Sequence, residues 1–267
     1  MELLFEKYQG AGNDFVMLNN LDGRYDSITV EQIALLCDRR FGIGADGLML
    51  LTKSDVADAE FRMVYYNQDG SRASFCGNGA RCICAFASNV TNGKLMAKGN
   101  YCKFVADDAM HVARVSEGWV DLKMVDVDEI AQLAGGTFLN TGVPHFVRIE
   151  ASKATLDNVD IMQVAPKIRY SEPFKPAGTN VNFISIINNN EIAVRTYERG
   201  VEGETLACGT GIVASAITAS LTTNTNQFKV HARGGDLTVC FDAHGHSFHN
   251  VWLGGPAIKV FSGVINI

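Results

Sequence analysis

The sequence predicts an α/β chain of the α+β type: two similar domains related by a pseudo-twofold axis, each a mostly antiparallel β-sheet or barrel around a central helix. Three observations predict it. Short β-rich runs separated by turn signals fill most of the chain, two small-residue apolar helices each follow a Cys-Gly-x-Gly sequence, and motifs recur in the same order in both halves.

The runs FRMVYY (61–66), WVDLKMV (119–125), HFVRIE (145–150), VNFISII (181–187), EIAVRTY (191–197) and DLTVCF (236–241) are β-branched or aromatic and roughly alternating, as strands require. INNNEI (187–192) reads as a hairpin connection, since Asn tolerates positive φ. A first helix is expected over Thr29–Arg40, with Thr29 as N-cap, Ile33, Leu36 and Cys37 on one face, and Gly42 beyond its end. The segments ARCICAFASNV (80–90) and IVASAITASL (212–221) have almost no polar face, and a helix apolar all round is buried.

Counting the match of Cys76 with Cys208 itself, five correspondences appear in order. Asn13 matches Val143, Asp46 matches Asn180, Asn67 matches Glu198, and after the cysteines Lys98 matches Arg233. The spacings are nearly equal, so a duplicated unit is the better reading than chance. The expected domains are 1–118, completed by a C-terminal strand over 259–267 that crosses back, and 119–258.

Composition narrows the function. With 23 Lys+Arg against 29 Asp+Glu, the chain has neither the basic excess nor a basic run that a nucleic-acid or anionic-membrane partner needs. No apolar stretch approaches a membrane span, MELLFEKYQG lacks the features of a secretory signal, and a cytoplasmic location is expected. Seven cysteines in a chain of 267 residues do not suggest a disulfide framework, so free thiols are expected.

Two of those thiols stand out. Cys76 in FCGNGARC and Cys208 in ACGTGIVA each sit where a strand or turn meets a helix, followed by Asn78 and Thr210, residue types that cap helices. The partial positive charge and free amides of a helix start lower a thiol's pKa and bind carboxylates. Two equivalent thiols imply one site at the pseudo-twofold interface, where one thiolate removes a proton and the opposing thiol returns one to the other face of the same carbon. No Rossmann fingerprint, phosphate loop or metal-ligand spacing appears, so neither cofactor nor metal is expected.

The motifs GAGNDFV (10–16), FGIGADG (41–47), NQDG…FCGNGARC (67–82), GVPH (142–145), GTNVNF (178–183) and YERGVEGETLACGTG (197–211) together resemble the diaminopimelate epimerase family over nearly the whole chain. The resemblance implies a cofactor-independent isomerase interconverting LL- and meso-diaminopimelate, for lysine and peptidoglycan synthesis, commonly as a homodimer. It further implies that Cys76 and Cys208 are the acid–base pair, and that Gly77, Asn78, Gly209 and Thr210 hold the reacting carboxylate through backbone amides. Asn13, Asn67, Asn180, Glu198 and Arg199 would contact the other substrate groups, with His145 near the reacting centre. The chain departs from the pattern at Val143, Arg72 and Gly47, and carries one extra residue in ERGVEGET.

Alternatives remain at this point: another cofactor-independent amino-acid racemase, or a non-catalytic redox-responsive binding protein whose two thiols form a disulfide. Cys82 and Cys84 mimic a metal spacing but do not share a helix face with Cys76, so core packing is expected for them. Cys37, Cys102 and Cys240 read as core or strand residues, HGHSFH (244–249) as an exposed turn, and Arg72 and Arg81 as structural charges.

Overall fold

The computed structural model describes residues 2–97, 99–107 and 109–267, so Lys98 of the repeat lies outside the described residues. The elements run β1 Glu2–Gly10, β2 Asn13–Asn20, α1 Val30–Cys37, β3 Gly47–Thr52, β4 Phe61–Asn67, β5 Arg72–Ala73, α2 Gly77–Val90, β6 Tyr101–Ala106, β7 Ala109–Ser116 and β8 Trp119–Lys123. They continue with β9 Ile130–Leu133, β10 Gly136–Asn140, β11 Pro144–Ile149, α3 Lys153–Asp157, α4 Ile161–Arg169, β12 Asn180–Asn188, β13 Glu191–Glu198 and β14 Gly203–Thr205. The last are α5 Gly209–Thr223, β15 Gln227–Ala232, β16 Gly235–His244, β17 Ser247–Pro256 and β18 Ile258–Asn266. The chain divides into two compact units, Met1–Leu122 with Gly255–Ile267, and Lys123–Gly254.

In the first unit β1 pairs antiparallel with β2, β2 parallel with β3, β3 antiparallel with β4, β4 parallel with β6, and β6 antiparallel with β7. In the second, β10, β11, β12, β13, β15 and β16 repeat that series of senses. The outer strand beside β10 is its sequence neighbour β9, whereas β1 is flanked by β18 from the far end of the chain. One plan is therefore used twice.

A helix fills each unit. α2 lies against β1, β2, β3 and β7, and burial covers Asn78–Cys84, Phe86 and Ala87. α5 lies against β10–β13, β15 and β16, with every residue from Gly211 to Ser220 buried. Small side chains let the strands approach both helices, and further apolar clusters form where α1 packs in the first unit and where α3 and α4 pack in the second.

α1 begins at the expected cap, where Thr29 and Gln32 form a reciprocal capping box. It ends at Cys37, three residues before the predicted end, because the Asp38 carboxylate accepts the amides of Arg40 and Phe41 and turns the chain. Gly42 is needed there: a Cβ would lie 1.9 Å from the Leu35 carbonyl oxygen. The 187–192 connection is a hairpin, but its asparagines are not among the positive-φ residues. Asn188 Oδ1 instead accepts the Asn190 amide, bending the turn through a side chain. α3 and α4 were not anticipated; Pro166 inside α4 hides the helical pattern, although the carbonyl it leaves free belongs to Met162, which is exposed.

Candidate active site

Both thiols sit at the same structural point. Cys76 is the N-cap of α2 and Cys208 the N-cap of α5, each with extended backbone. This corrects the expectation for Asn78 and Thr210: they occupy the second helical position, two residues beyond the cap. Neither cysteine uses its side chain as a cap, so the first amides of each helix have no capping side chain from that residue.

In the first unit the Asn13 carboxamide oxygen lies 3.5 Å from both the Cys76 sulfur and Asn78 Nδ2. Asn13 is held by donating to Asp46 Oδ2 at 2.6 Å, and Asp46 in turn accepts Arg39 at 2.7 Å. Asn78 Oδ1 accepts Arg81 Nη2 at 2.9 Å. Arg81 is fully buried, and its Nε and Nη1 have no hydrogen-bond partner. Burial holds its pKa below the ordinary arginine value, against the opposing pull of Cys82 and Cys76. Beneath this group Asp14 meets Lys7 and Arg39; burial alone would raise its carboxyl, but the two cations hold it down to about 2. Asn67 closes the β4–β5 turn by donating to Ser71 Oγ at 3.1 Å.

In the second unit Thr210 Oγ1 lies 3.5 Å from the Cys208 sulfur and 2.9 Å from His145 Nε2. His145 Nδ1 faces Asn182 Nδ2 at 3.0 Å. His145 is wholly buried, and burial followed by the nearby charge of Arg199 depresses it to about 3, so the ring is neutral. Glu198, at the end of β13, is raised by burial, while hydrogen bonds with the Thr205 and then the Cys208 side chain oppose the shift. Asn180 is committed within the fold: its Oδ1 accepts the Arg199 amide at 2.8 Å and its Nδ2 donates to the Pro144 carbonyl at 2.9 Å. The Glu202 carboxylate binds Arg169 Nε at 2.8 Å, Tyr170 Oη at 2.8 Å and the Gly200 amide at 2.9 Å, fixing the turn after Arg199.

Within each unit the candidate residues fall at or beside the ends of strands or the start of the central helix: Asn13, Asn67, Gly77 and Asn78 in one, and His145, Asn180, Glu198, Arg199, Gly209 and Thr210 in the other. Two of the departures acquire a physical setting. A Cβ on Gly47 would lie 2.5 Å from the Tyr66 carbonyl oxygen, so any side chain there would require the backbone to move. Arg72 is exposed and stacks its guanidinium 5.5 Å from the Tyr66 ring centre.

The remaining candidates separate by burial. Cys37 and Cys82 are buried and their thiols are pushed up to about 12, and burial also raises Cys84. Cys102 is buried in β6, while Cys240 lies on an exposed face of β16. His244, His246 and His249 flank a hairpin turn, where His249 pairs with Asp126 at 3.2 Å. Asn182 and the scaffold role of Asp46 carried no signal in the sequence, because their partners lie on other strands.

The sequence model of the family Diaminopimelate epimerase matches residues 5–102 and 137–260. Diaminopimelate epimerase of Flavobacterium psychrophilum is 44% identical over 262 residues, covering 97% of this chain and 98% of its own. That of Chlorobaculum tepidum is 38% identical, covering 97% and 99%. Among solved structures, a Bacillus anthracis phenazine biosynthesis protein of the PhzF family aligns over all of both chains with a TM-score of 0.74 at 12% identity. A probable proline racemase from Agrobacterium radiobacter aligns over 99% of this chain and 92% of its own with a TM-score of 0.63 at 15% identity. These two share the fold, and among the described residues no helix is long and apolar enough to cross a membrane. On the family match and the near-full-length relatives, the chain belongs to the diaminopimelate epimerase family.

Proposed function

We propose that this protein is a cofactor-independent isomerase that interconverts LL- and meso-diaminopimelate with Cys76 and Cys208 as its two acid–base groups. The observation that carries the reading is the thiol at the N-cap of the buried helix in both units. One thiolate takes the α-proton, the resulting carbanion is stabilised through its carboxylate, and the other thiol gives a proton to the opposite face. Each turnover leaves the pair with its protonation reversed.

The amides of Gly77, Asn78, Gly209 and Thr210 are suited to that carboxylate, because helix N-termini offer unpaired donors and positive potential where charge develops. Glu198 is suited to accept the Cys208 proton, since burial has raised a carboxyl that the thiol already addresses. The Arg199 guanidinium suits the second carboxylate of the substrate, with Asn13 and Asn67 contributing carboxamides. Asn180 serves by holding the Arg199 backbone. Leu4, Val260, Phe261 and Val264 expose apolar side chains on the paired strands β1 and β18, a surface suited to a homodimer. A cytoplasmic enzyme supplying lysine and cell-wall precursors fits the free thiols.

The test is incubation of the reduced protein with meso-diaminopimelate in D2O, following deuterium at Cα and the stereoisomer ratio. Deuterium incorporation with inversion is expected. A folded, reduced protein that exchanges nothing, or that exchanges proline instead, overturns the reading.

A further inference from the structure

The Cys208 thiol is backed by a chain of hydrogen bonds whose direction can be assigned atom by atom. Its anchor is the Phe146 backbone carbonyl, which can only accept. Asn182 presents an amide atom to it at 3.2 Å, and that atom must be Nδ2. The other side of the amide is consistent, because Thr196 Oγ1 lies 2.9 Å from Asn182 Oδ1 and donates to it. The Asn182 side chain is therefore oriented by the main chain rather than by choice of fit.

That orientation determines the next atom. Asn182 Nδ2 also faces His145 Nδ1 at 3.0 Å, so Nδ1 must accept and carry no proton. Neutral His145 then holds its proton on Nε2, 2.9 Å from Thr210 Oγ1. A hydroxyl that accepts from the ring has its own proton left to donate, and the Cys208 sulfur lies 3.5 Å away. The backbone makes room for this arrangement. A Cβ on Gly211 would lie 2.4 Å from Asn182 Oδ1 and 3.3 Å from His145 Cε1, so only glycine lets the pair sit against the helix.

We propose that Asn182 is a positioning residue that fixes His145 as its Nε2–H tautomer, so that the Thr210 hydroxyl donates to the Cys208 sulfur and favours the thiolate. His145 is thereby a rigid spacer in a donor chain rather than a base. The inference rests on the reading of Cys208 as an acid–base group, but not on which substrate it serves. The other charged groups facing this corner are Glu198, bonded to the same thiol, and Arg199, which acts on the ring. Neither is altered below.

Nitrogen-15 NMR of the histidine rings in the unaltered protein tests the tautomer without any activity, with His145→Gln identifying the signal. An unprotonated Nδ1 and a protonated Nε2 are expected; the reverse tautomer or a charged ring overturns the proposal. The thiol is then read by the pH dependence of its alkylation in a Cys76→Ala background. Thr210→Val should raise the Cys208 midpoint by about one unit, the worth of one hydrogen bond to a charged group, and Thr210→Ser should restore it. Asn182→Leu should raise it too, but not when Thr210→Val is already present, because Asn182 acts through that hydroxyl. Full additivity of the two shifts, or no shift with Thr210→Val, overturns it. Should Asn182→Leu fail to fold, the ring spectrum and the Thr210 pair still decide. Loss of deuterium exchange with the chain intact would instead count against the proposed reaction.

Discussion

The two thiol sites share a backbone but not a chemistry. In the first unit β2 and β3 run parallel with Phe15 opposite Gly47, and in the second β11 and β12 run parallel with His145 opposite Asn180. Phe15 thus corresponds to His145, and Asn180 corresponds to Gly47 rather than to Asp46, a shift of one residue from the match read off the sequence. Met49 then corresponds to Asn182 and Gly79 to Gly211. A Cβ on Gly79 would strike Met49 Cε at 1.8 Å and approach Phe15 Cζ at 3.3 Å, just as one on Gly211 would meet Asn182 and His145. An apolar bed lies under Cys76 where a directed polar chain lies under Cys208. The cation is distributed the other way: Arg81 is buried five residues after Cys76, while Val213 fills the matching position. One backbone plan holds both thiols, and different side chains give each its own electrostatic support.

The largest effect should come from the thiols themselves. Cys76→Ala and Cys208→Ala should each lower inversion by about 100- to 10,000-fold, the usual worth of a positioned acid or base. Chiral analysis of the product after single-turnover mixing measures this. Inversion at the unaltered rate in either variant would break the two-thiol reading and the comparison with it.

Arg81 sharpens the contrast, since activity and stability should move in opposite directions. A buried guanidinium with two unpaired nitrogens and no carboxylate partner among the described residues is a costly group, and replacing buried charge by an apolar side chain of similar volume is often neutral or stabilising by about 1–4 kcal/mol. Arg81→Met should therefore leave stability to urea unchanged or higher. It should slow alkylation of Cys76 several-fold near neutral pH and leave Cys208 untouched. A variant that unfolds more easily and alkylates normally would show Arg81 to be structural only.

How much of this was legible in the sequence follows from the range of the interactions. The duplication, the six strand runs and the two central helices were readable because spacing and side-chain pattern are local. The end of α1 was missed because one carboxylate, Asp38, outcompeted two helical hydrogen bonds. Cys76 and Cys208 were found through their helix starts, yet Asn78 and Thr210 were misplaced as caps by their residue type. The support beneath the thiols was invisible: Asn182 reads as one more polar residue in a strand until β11 and the α5 turn close around it.

Exchanging the beds should cost stability without exchanging chemistry. Met49→Asn would bury a carboxamide beside Phe15, with no imidazole to receive it, and should destabilise the protein by about 1–3 kcal/mol. The midpoint of urea unfolding measures this. A neutral outcome would mean that the first unit can host the polar arrangement, and that its apolar bed is incidental.

The smallest effect separates the units by pH. Because His145 is held neutral down to about pH 3, the unfolded chain binds a proton below about pH 6.5 that the folded chain refuses. Its contribution is therefore nil above that value, and stability is lost as pH falls, by about 1 kcal/mol per pH unit. Phe15 at the matching position has no proton to bind. His145→Gln should accordingly flatten the decline in unfolding free energy between pH 6.5 and 5, whatever it does to stability at pH 8. The carboxyl of Asp14, held down to about 2, loses its stabilising pairs only at lower pH, as pH falls through the range below its ordinary value near 3.8. His111, also lowered by burial, contributes its own part of that decline, so it is a slope left unchanged by His145→Gln that would mean the ring is protonated in the fold, and the polar bed would then carry a charge rather than a direction.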